Sequence, residues 1–206
     1  MLPGPQRGVE GLSAFAARVV AALGRSLAAV QVTAEPNLAG IPAAADGDLP
    51  RLREGRRPAR RRGKQDTGAT AAIGFAVAPE VDPSASGFWQ DVHDLGGTDF
   101  AAAVDYAGTD LYPDAFGPPA GPDGLPGAVD WVLRAFRQRD LPAAGIDASV
   151  PVRICENGWP TGPGRSEEQQ ARVLETIVRS ASGLRAELNV THWQLFTLRD
   201  ASSCRG

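Results

Sequence analysis

The stretch VPVRICENGWPTGPGRSEEQQARVLETIVRSASGL, residues 150–184, contains the repeating unit that decides the fold. Its first part, Val150 to Glu156, is an apolar, β-prone run that ends in a Gly- and Pro-rich turn. Ser166 and Gln169 then match the capping box of a helix. The apolar residues of that helix recur every three or four positions and form one inner face: Leu174, Ile177, Val178, Ala181 and Leu184. The unit is strand, loop and helix.

The same kinds of element are predicted on both sides of this stretch. Four further strands are predicted at residues 28–33, 69–78, 104–112 and 190–196. Helices are predicted over residues 12–27 and 125–139, with Pro126 in the first turn of the second helix. Residues 80–100 are predicted to form a loop anchored by Phe88 and Trp89.

Strands separated by helices imply parallel pairing, because each strand must cross back over the sheet before it runs in the same direction. An α/β layered or barrel fold follows. In such folds the functional groups collect at the carboxyl ends of the strands. Glu35 and Glu156 both lie at such ends, and they are the leading candidates for catalytic residues.

Composition excludes several classes of partner. The 206 residues are 43% hydrophobic and carry a net charge of −3, which indicates no general attraction to nucleic acid or to an anionic membrane. No apolar run is long enough to span a membrane. Residues 1–7 lack the apolar core of a secretion signal, so the chain as written is predicted to be cytoplasmic, and secreted if upstream sequence precedes it.

The sequence has few metal-ligating residues. Cys155, Cys204, His93 and His192 show no spacing typical of a zinc site, and neither a metal nor an organic cofactor is expected. Cys155 lies in an apolar strand, which favours a buried free thiol over a disulfide with Cys204. Strand alternation predicts that Cys155 points outward to the helices if Glu156 points inward.

Residues 46–68 form an Arg-rich connection, predicted to be either a poor helix or disordered. The basic run from Arg51 to Lys64 raises nucleic-acid or acidic-partner binding as an alternative function. It contains no interleaved aromatic residues, which favours a solvated connection instead.

Two motifs carry a resemblance to a known family. The run Val32-Thr33-Ala34-Glu35-Pro36-Asn37 resembles the end of the fourth barrel strand of clan A glycoside hydrolases, a cellulase- and endoglycosidase-like superfamily, and residues 154–161 resemble the end of the seventh. Residues 105–113 are similar to the sixth strand of that clan. The resemblance covers roughly residues 28–200 and implies a partial (β/α)8 barrel comprising strands four to eight.

The resemblance also implies a reaction. Retaining glycosidases hold two carboxyl groups about 5 to 5.5 Å apart, one as acid/base and one as nucleophile. Glu35 would be the acid/base and Glu156 the nucleophile, acting on a β-linked poly- or oligosaccharide, while Tyr112 hydrogen-bonds the nucleophile. Three residues are candidates for sugar contacts, with packing as the alternative role for both tryptophans: Trp159, Trp193 and Asn157. His192 and Asn37 are interpreted as structural residues.

The sequence departs from the family pattern in two respects. Ala34 occupies the position where the clan usually has an Asn that contacts the sugar 2-hydroxyl. At 206 residues the chain is also shorter than the roughly 250 residues of a full barrel, and the first three strands and the last helix are predicted to be missing. Exposed sheet edges would then favour self-association. A truncated, inactive remnant is therefore the main alternative to an active glycosidase.

Overall fold

The computed structural model describes residues 18–19, 22–23, 26–38, 71–80, 82, 87–116 and 121–196. Five parallel strands form one sheet in these residues, and they are ordered in space as they are in sequence. The strands are β1 (Ala29–Gln31), β2 (Ala72–Val77), β3 (Tyr106–Leu111), β4 (Val152–Asn157) and β5 (Val190–Trp193). All five match the predicted strands: four lie within the predicted bounds, and β4 ends one residue later than predicted.

Three helices connect the last four strands. They are α1 (Phe88–Ala101), α2 (Gly121–Ala135) and α3 (Glu167–Leu184). A π-helical turn, Phe136–Asp140, and a short turn, Leu141–Ala143, prolong α2. The predicted capping box of α3 is confirmed: the amide of Gln169 donates to Ser166 Oγ at 3.2 Å, and the Ser166 amide donates to Gln169 Oε1 at 2.8 Å.

The sequential strand order distinguishes this sheet from a doubly wound sheet, in which the order reverses at a central strand. The helices all pack against one face. Phe75 and Ala107 of the sheet share a core with Trp89 and Phe136, and Ile154 and Leu111 share a second core with α2 and α3. One-sided helix packing on a sequential parallel sheet is the arrangement of a (β/α) barrel wall. The predicted fold class, α/β with a partial barrel, is confirmed.

Helix α1 corrects the prediction of a loop over residues 80–100. Phe88 and Trp89 are indeed buried, but they begin a helix whose inner face continues through Val92 and Phe100. The helical pattern is weak in sequence because two adjacent glycines interrupt it, and Gly97 adopts a left-handed φ of 57° at a kink.

Helix α2 begins earlier than predicted. It runs from Gly121, so Pro126 lies inside the helix rather than in its first turn. A proline there removes one backbone hydrogen bond of the helix.

The prediction that Cys155 points toward the helices is wrong. The β3–β4 pairing shifts register, from Thr109 opposite Ile154 to Asp110 opposite Glu156, so Cys155 is an extra residue in the ladder. Its side chain packs with Tyr106 and Ala76 on the sheet face opposite the helices. A β-carbon at Gly108 would lie only 2.5 Å from the Cys155 sulfur, so this bulge requires a glycine beside it.

Some predictions concern residues that the structure does not describe. The Arg-rich connection, residues 46–68, and Cys204 lie outside the described ranges, as does most of the predicted helix over residues 12–27. Of that helix, residues 18–19, 22–23 and 26–27 are described, and residues 18–19 and 22–23 are α-helical. No helix in the described part of the chain is long and apolar enough to cross a membrane.

Candidate active site

The carboxyl ends of β1, β3 and β4 bring three acidic residues to one edge of the sheet. Beyond β1, the ladder to β2 continues through the amide of Glu35, which donates to the carbonyl of Ala76 at 3.0 Å. Asp110 near the end of β3 is the register partner of Glu156 near the end of β4. The two glutamates predicted from sequence therefore share this edge with an aspartate.

Glu35 is held by an unusual local backbone. Its φ is 46°, a left-handed value that is uncommon and strained for a residue with a β-carbon. The 3-10 turn Pro36–Leu38 follows directly. Asn37 fastens this turn to the end of β2, since its side chain donates to the Ala78 carbonyl at 2.9 Å and accepts from the Ala78 amide at 3.1 Å. The structural role expected for Asn37 is confirmed, and this staple positions Glu35.

Glu156 is oriented by Tyr112. The phenol of Tyr112 donates to Glu156 Oε2 at 2.9 Å, which is the contact that the family resemblance implied. Burial raises the pKa of Tyr112 above its usual value, and the hydrogen bond to Glu156 raises it further. Tyr112 therefore keeps its proton and remains a donor to the carboxylate at all physiological pH values.

The charges of the three acids oppose one another. Partial burial raises the pKa of Glu35, and the negative charge of Glu156 raises it further. Asp110 is more extreme: burial raises its pKa to about 8, with Glu156 and then Glu35 adding to the effect. Like charges close together move the pKa values of the carboxyl groups apart. One group can then stay protonated and act as an acid beside an ionised neighbour.

Asn157 and Trp159 lie close to Glu156 in sequence, and both side chains are buried. Asn157 is completely buried and donates from Nδ2 to the Leu111 carbonyl at 2.5 Å, which ties the end of β4 to the end of β3. Trp159 is only 7% exposed, and the guanidinium of Arg165 lies 4.9 Å from its ring centroid. Trp159 is thus packed in this structure, and its sugar contact stays a prediction.

Trp193 and His192 point to opposite faces of β5, as predicted. His192 is paired in register with Arg153, and Trp193 with Ile154, whose side chain belongs to the core beneath α2 and α3. The structure therefore does not bring Trp193 to the face that carries Cys155 and Tyr106. The side chain of His192 contacts the hydroxyl of Thr191 at 3.0 Å.

Sequence reasoning missed Asp110 and Phe116 as parts of this region. Asp110 lies within the strand that resembled the clan's sixth, but nothing in its spacing distinguished a buried acid from an exposed one. Phe116 is 84% exposed, and its ring centroid is 5.1 Å from that of Tyr112. An aromatic four residues past Tyr112 in a Gly- and Pro-rich loop was the available signal for Phe116.

The described residues contain no group of three or more His, Cys, Asp or Glu side chains arranged to hold a metal ion. Cys155 is a free, buried thiol, as the sequence favoured. Burial raises the pKa of Cys155 to about 12, and Asp110 adds to the shift. The thiolate needed for a nucleophile is therefore negligible at neutral pH.

Several solved structures have a similar fold. Beta-glucosidase 1317 in its apo form aligns with a TM-score of 0.61 and 19% identity over 94% of this chain and 58% of its own. A beta-glucosidase from Exiguobacterium marinum aligns with a TM-score of 0.64 and 14% identity over 94% and 61%. A fungal beta-1,4-galactanase gives a TM-score of 0.62 and 14% identity over 91% and 57%.

The chain thus spans about three fifths of the length of these structures. At such identities the likeness establishes the fold alone, an α/β arrangement that this chain shares with part of each of these structures. No protein-family model and no curated protein sequence matches the chain.

Proposed function

We propose that this chain is a retaining glycoside hydrolase that cleaves β-linked sugars with Glu35 and Glu156. One observation supports the proposal above the others: the two glutamates, 121 positions apart in sequence, reach one edge of the sheet, where burial and then the charge of Glu156 raise the pKa of Glu35. A carboxyl that keeps its proton beside an ionised carboxylate is what the double-displacement reaction requires.

The proposed reaction has two steps. In the first, Glu35 gives its proton to the glycosidic oxygen while Glu156 attacks the anomeric carbon, which releases the alcohol and leaves a glycosyl ester on Glu156. In the second, the Glu35 carboxylate takes a proton from water, and that water displaces Glu156 from the sugar. The configuration at the anomeric carbon is retained, and neither a metal nor an organic cofactor takes part in these steps.

Tyr112 supports the nucleophile in this scheme. Its hydroxyl holds Glu156 Oε2 in place, and its raised pKa keeps the donor proton on the phenol. Phe116 extends from Tyr112 toward solvent and offers an apolar ring for stacking against a sugar or an aryl leaving group. Sugar contacts by Trp159, Trp193 and Asn157 stay predictions.

A remnant without activity remains the second candidate because Ala34 precedes Glu35. An Asn at that position would supply a hydrogen bond to the sugar 2-hydroxyl, a contact that strengthens in the transition state. Binding of nucleic acid through residues 51–64 also stays a prediction, since that segment lies outside the described residues.

The test is turnover of chromogenic aryl β-glycosides by the intact chain. The β-glucoside, β-galactoside and β-glucuronide of p-nitrophenol correspond to three of the similar proteins: a beta-glucosidase, a fungal beta-1,4-galactanase and a b-glucuronidase from Ruminococcus gnavus. We expect turnover of at least one substrate, and we expect Glu156→Gln to lower kcat by more than about 10³-fold, since it removes the nucleophile.

Glu167→Gln is the matched control, because Glu167 is an exposed acid at the start of α3 and lies outside the site. It should turn over substrate like the unmodified chain. The absence of turnover on all three substrates, or equal rates with and without the Glu156 carboxylate, would contradict the proposal.

A further inference from the structure

Asp110 is a third carboxyl group in the site, and the two-step reaction assigns it no role. Its side chain is 1% exposed. Both of its carboxyl oxygens are fully buried, and neither accepts a hydrogen bond from the described residues. An ionised carboxylate in that position would be buried and unpaired, which costs several kcal/mol.

The groups facing Asp110 make ionisation still less favourable. Glu156, its register partner on β4, and Glu35, beyond β1, are acidic, and their charges act on Asp110 in that order after burial. Tyr112 lies just past the end of β3 and Cys155 lies on β4, and Asp110 raises the pKa of each of them in part, after burial. With its pKa at about 8, Asp110 holds its proton at neutral pH.

If Asp110 is a neutral carboxylic acid, no unpaired charge is buried at this position. Its O–H is a donor, whereas a carboxylate can only accept. The neighbour best able to receive that proton is the carboxylate of Glu156, which already accepts one hydrogen bond from Tyr112 on Oε2. A second donor would restrict the rotation of the Glu156 carboxylate.

We propose that Asp110 is a positioning residue that remains a neutral carboxylic acid in the folded protein and directs its proton to the carboxylate of Glu156. Asp110 then orients the nucleophile from one side while Tyr112 orients it from the other. The part of this inference that concerns turnover rests on the function proposed above. The protonation of Asp110 and its contact with Glu156 do not depend on it.

The first experiment is a carbon-13 NMR titration of the intact chain, labelled at the side-chain carboxyl carbons of Asp and Glu and assigned through bonds. Asp110 is expected to titrate near pH 8, whereas an unperturbed Asp titrates near pH 3.9. The Glu156 carboxyl carbon should show an inflection at the same alkaline midpoint, since its donor is lost there. Through-bond assignment makes this result independent of any variant.

Asp110→Asn and Asp114→Asn form a matched pair, because each replaces one carboxyl on or just after β3 with an amide. Asp114 has a φ of 67°, which Asn tolerates. The alkaline inflection of Glu156 should disappear in Asp110→Asn and persist in Asp114→Asn. If Asp110 titrates below about pH 5, or if Glu156 shows no inflection at alkaline pH, the inference is wrong.

Turnover then tests the positioning role. Asp110→Ala should lower kcat about 10- to 100-fold at neutral pH, the value of one hydrogen bond to a charged group. Asp110→Asn should recover most of that loss, because its amide supplies a donor. Equal kcat for Asp110→Ala and the unmodified chain would overturn the role. A chain without any turnover would instead contradict the proposed function, and the titration would still decide the state of Asp110.

Discussion

The two glutamates of the proposed catalytic pair lie in regions that differ in strand length and in the number of paired neighbours. Glu156 lies on β4, a six-residue strand flanked by β3 and β5, and is fastened by Tyr112. Glu35 follows β1, a three-residue strand that pairs with β2 alone among the described strands, and its position depends on a strained turn and the Asn37 staple. The proposed nucleophile therefore lies on an inner strand of the sheet, and the proposed acid/base lies beside its edge strand.

This difference predicts different effects of mutation on turnover and on stability in the two regions. Changes around Glu156 should affect both turnover and global stability, because β4 is paired on both sides and Asp110, its register partner, is buried. Changes around Glu35 should affect turnover through local geometry, with smaller effects on unfolding. The following predictions test this contrast from the largest expected effect to the smallest.

Glu35→Gln should give the largest effect, because it removes the proposed acid and leaves the proposed nucleophile, Glu156, in place. Loss of a general acid lowers kcat/KM, which reports the first step, by about 10² to 10⁴-fold for a β-linked disaccharide, whose leaving alcohol needs the proton. The loss of kcat/KM should be much smaller for p-nitrophenyl glycosides, because p-nitrophenolate leaves without help, although kcat falls there too since the second step loses its base. Initial rates at low concentrations of both substrates check this. An equal loss on the two substrates would contradict the assignment of Glu35 as the acid.

Tyr112→Phe should weaken the orientation of the nucleophile. Removal of one hydrogen bond to a charged acceptor corresponds to about 10- to 100-fold in kcat, with little change in KM. Tyr106→Phe is the matched control, since Tyr106 begins β3, the strand that Tyr112 directly follows, and its ring centroid lies 4.0 Å from the guanidinium carbon of Arg153. Steady-state kinetics that show the same effect for both variants would remove Tyr112 from the scheme.

The raised pKa values of Asp110 and Glu35 should make the free energy of unfolding fall as pH rises. The folded pKa of Asp110 is about 8 and its unfolded value is about 3.9, so between these values the folded state holds a proton that the unfolded state does not. Unfolding free energy should therefore fall with pH, by up to about 1.4 kcal/mol per pH unit from this group. Glu35, whose pKa is also raised, adds to the same slope.

Urea unfolding at a series of pH values between 4 and 8 measures this slope, and Asp110→Asn should flatten it. Asp114→Asn should leave it unchanged. A slope that is the same in both variants would indicate that Asp110 is ionised in the folded state.

Glycine and alanine should have opposite effects at the two glutamates. At Glu35, with its φ of 46°, Glu35→Gly should be more stable than Glu35→Ala by about 1 kcal/mol, because glycine relieves the strain. At Glu156, a residue of β4 without a positive φ, Glu156→Gly should be less stable than Glu156→Ala by about 0.5 to 1 kcal/mol. Urea midpoints of the four variants measure both differences. The same sign at both positions would contradict the contrast between edge and core.

The fold could be predicted from the sequence because hydrophobic periodicity and the proline and glycine residues at strand ends are local signals. Residues 150–184 predicted a strand, a loop and a capped helix, and all three are present. The helix over residues 88–101 was missed because Gly96 and Gly97 interrupt its pattern, and its identity as a helix depends on the tertiary burial of Phe88 and Trp89.

The candidate site was predictable only in part. Parallel strands align their carboxyl ends, so Glu35 and Glu156 could be expected at one edge. The bulge beside Glu156 could not be predicted, since it arises from the register between two strands, and it reversed the expected direction of Cys155. Burial of Trp159 and Asp110 likewise depends on neighbours distant in sequence, which periodicity does not specify.

The central claim, that Glu156 forms a covalent bond to the sugar, has a direct test. A 2-deoxy-2-fluoro aryl β-glycoside of the preferred sugar should slow the second step more than the first, because fluorine destabilises the positively charged transition state while the activated leaving group departs readily. Mass spectrometry of the intact chain followed by peptide mapping should find one glycosyl group, attached to Glu156. An adduct on Glu35 or Asp110, or no adduct in a chain that turns over the parent glycoside, would contradict the account.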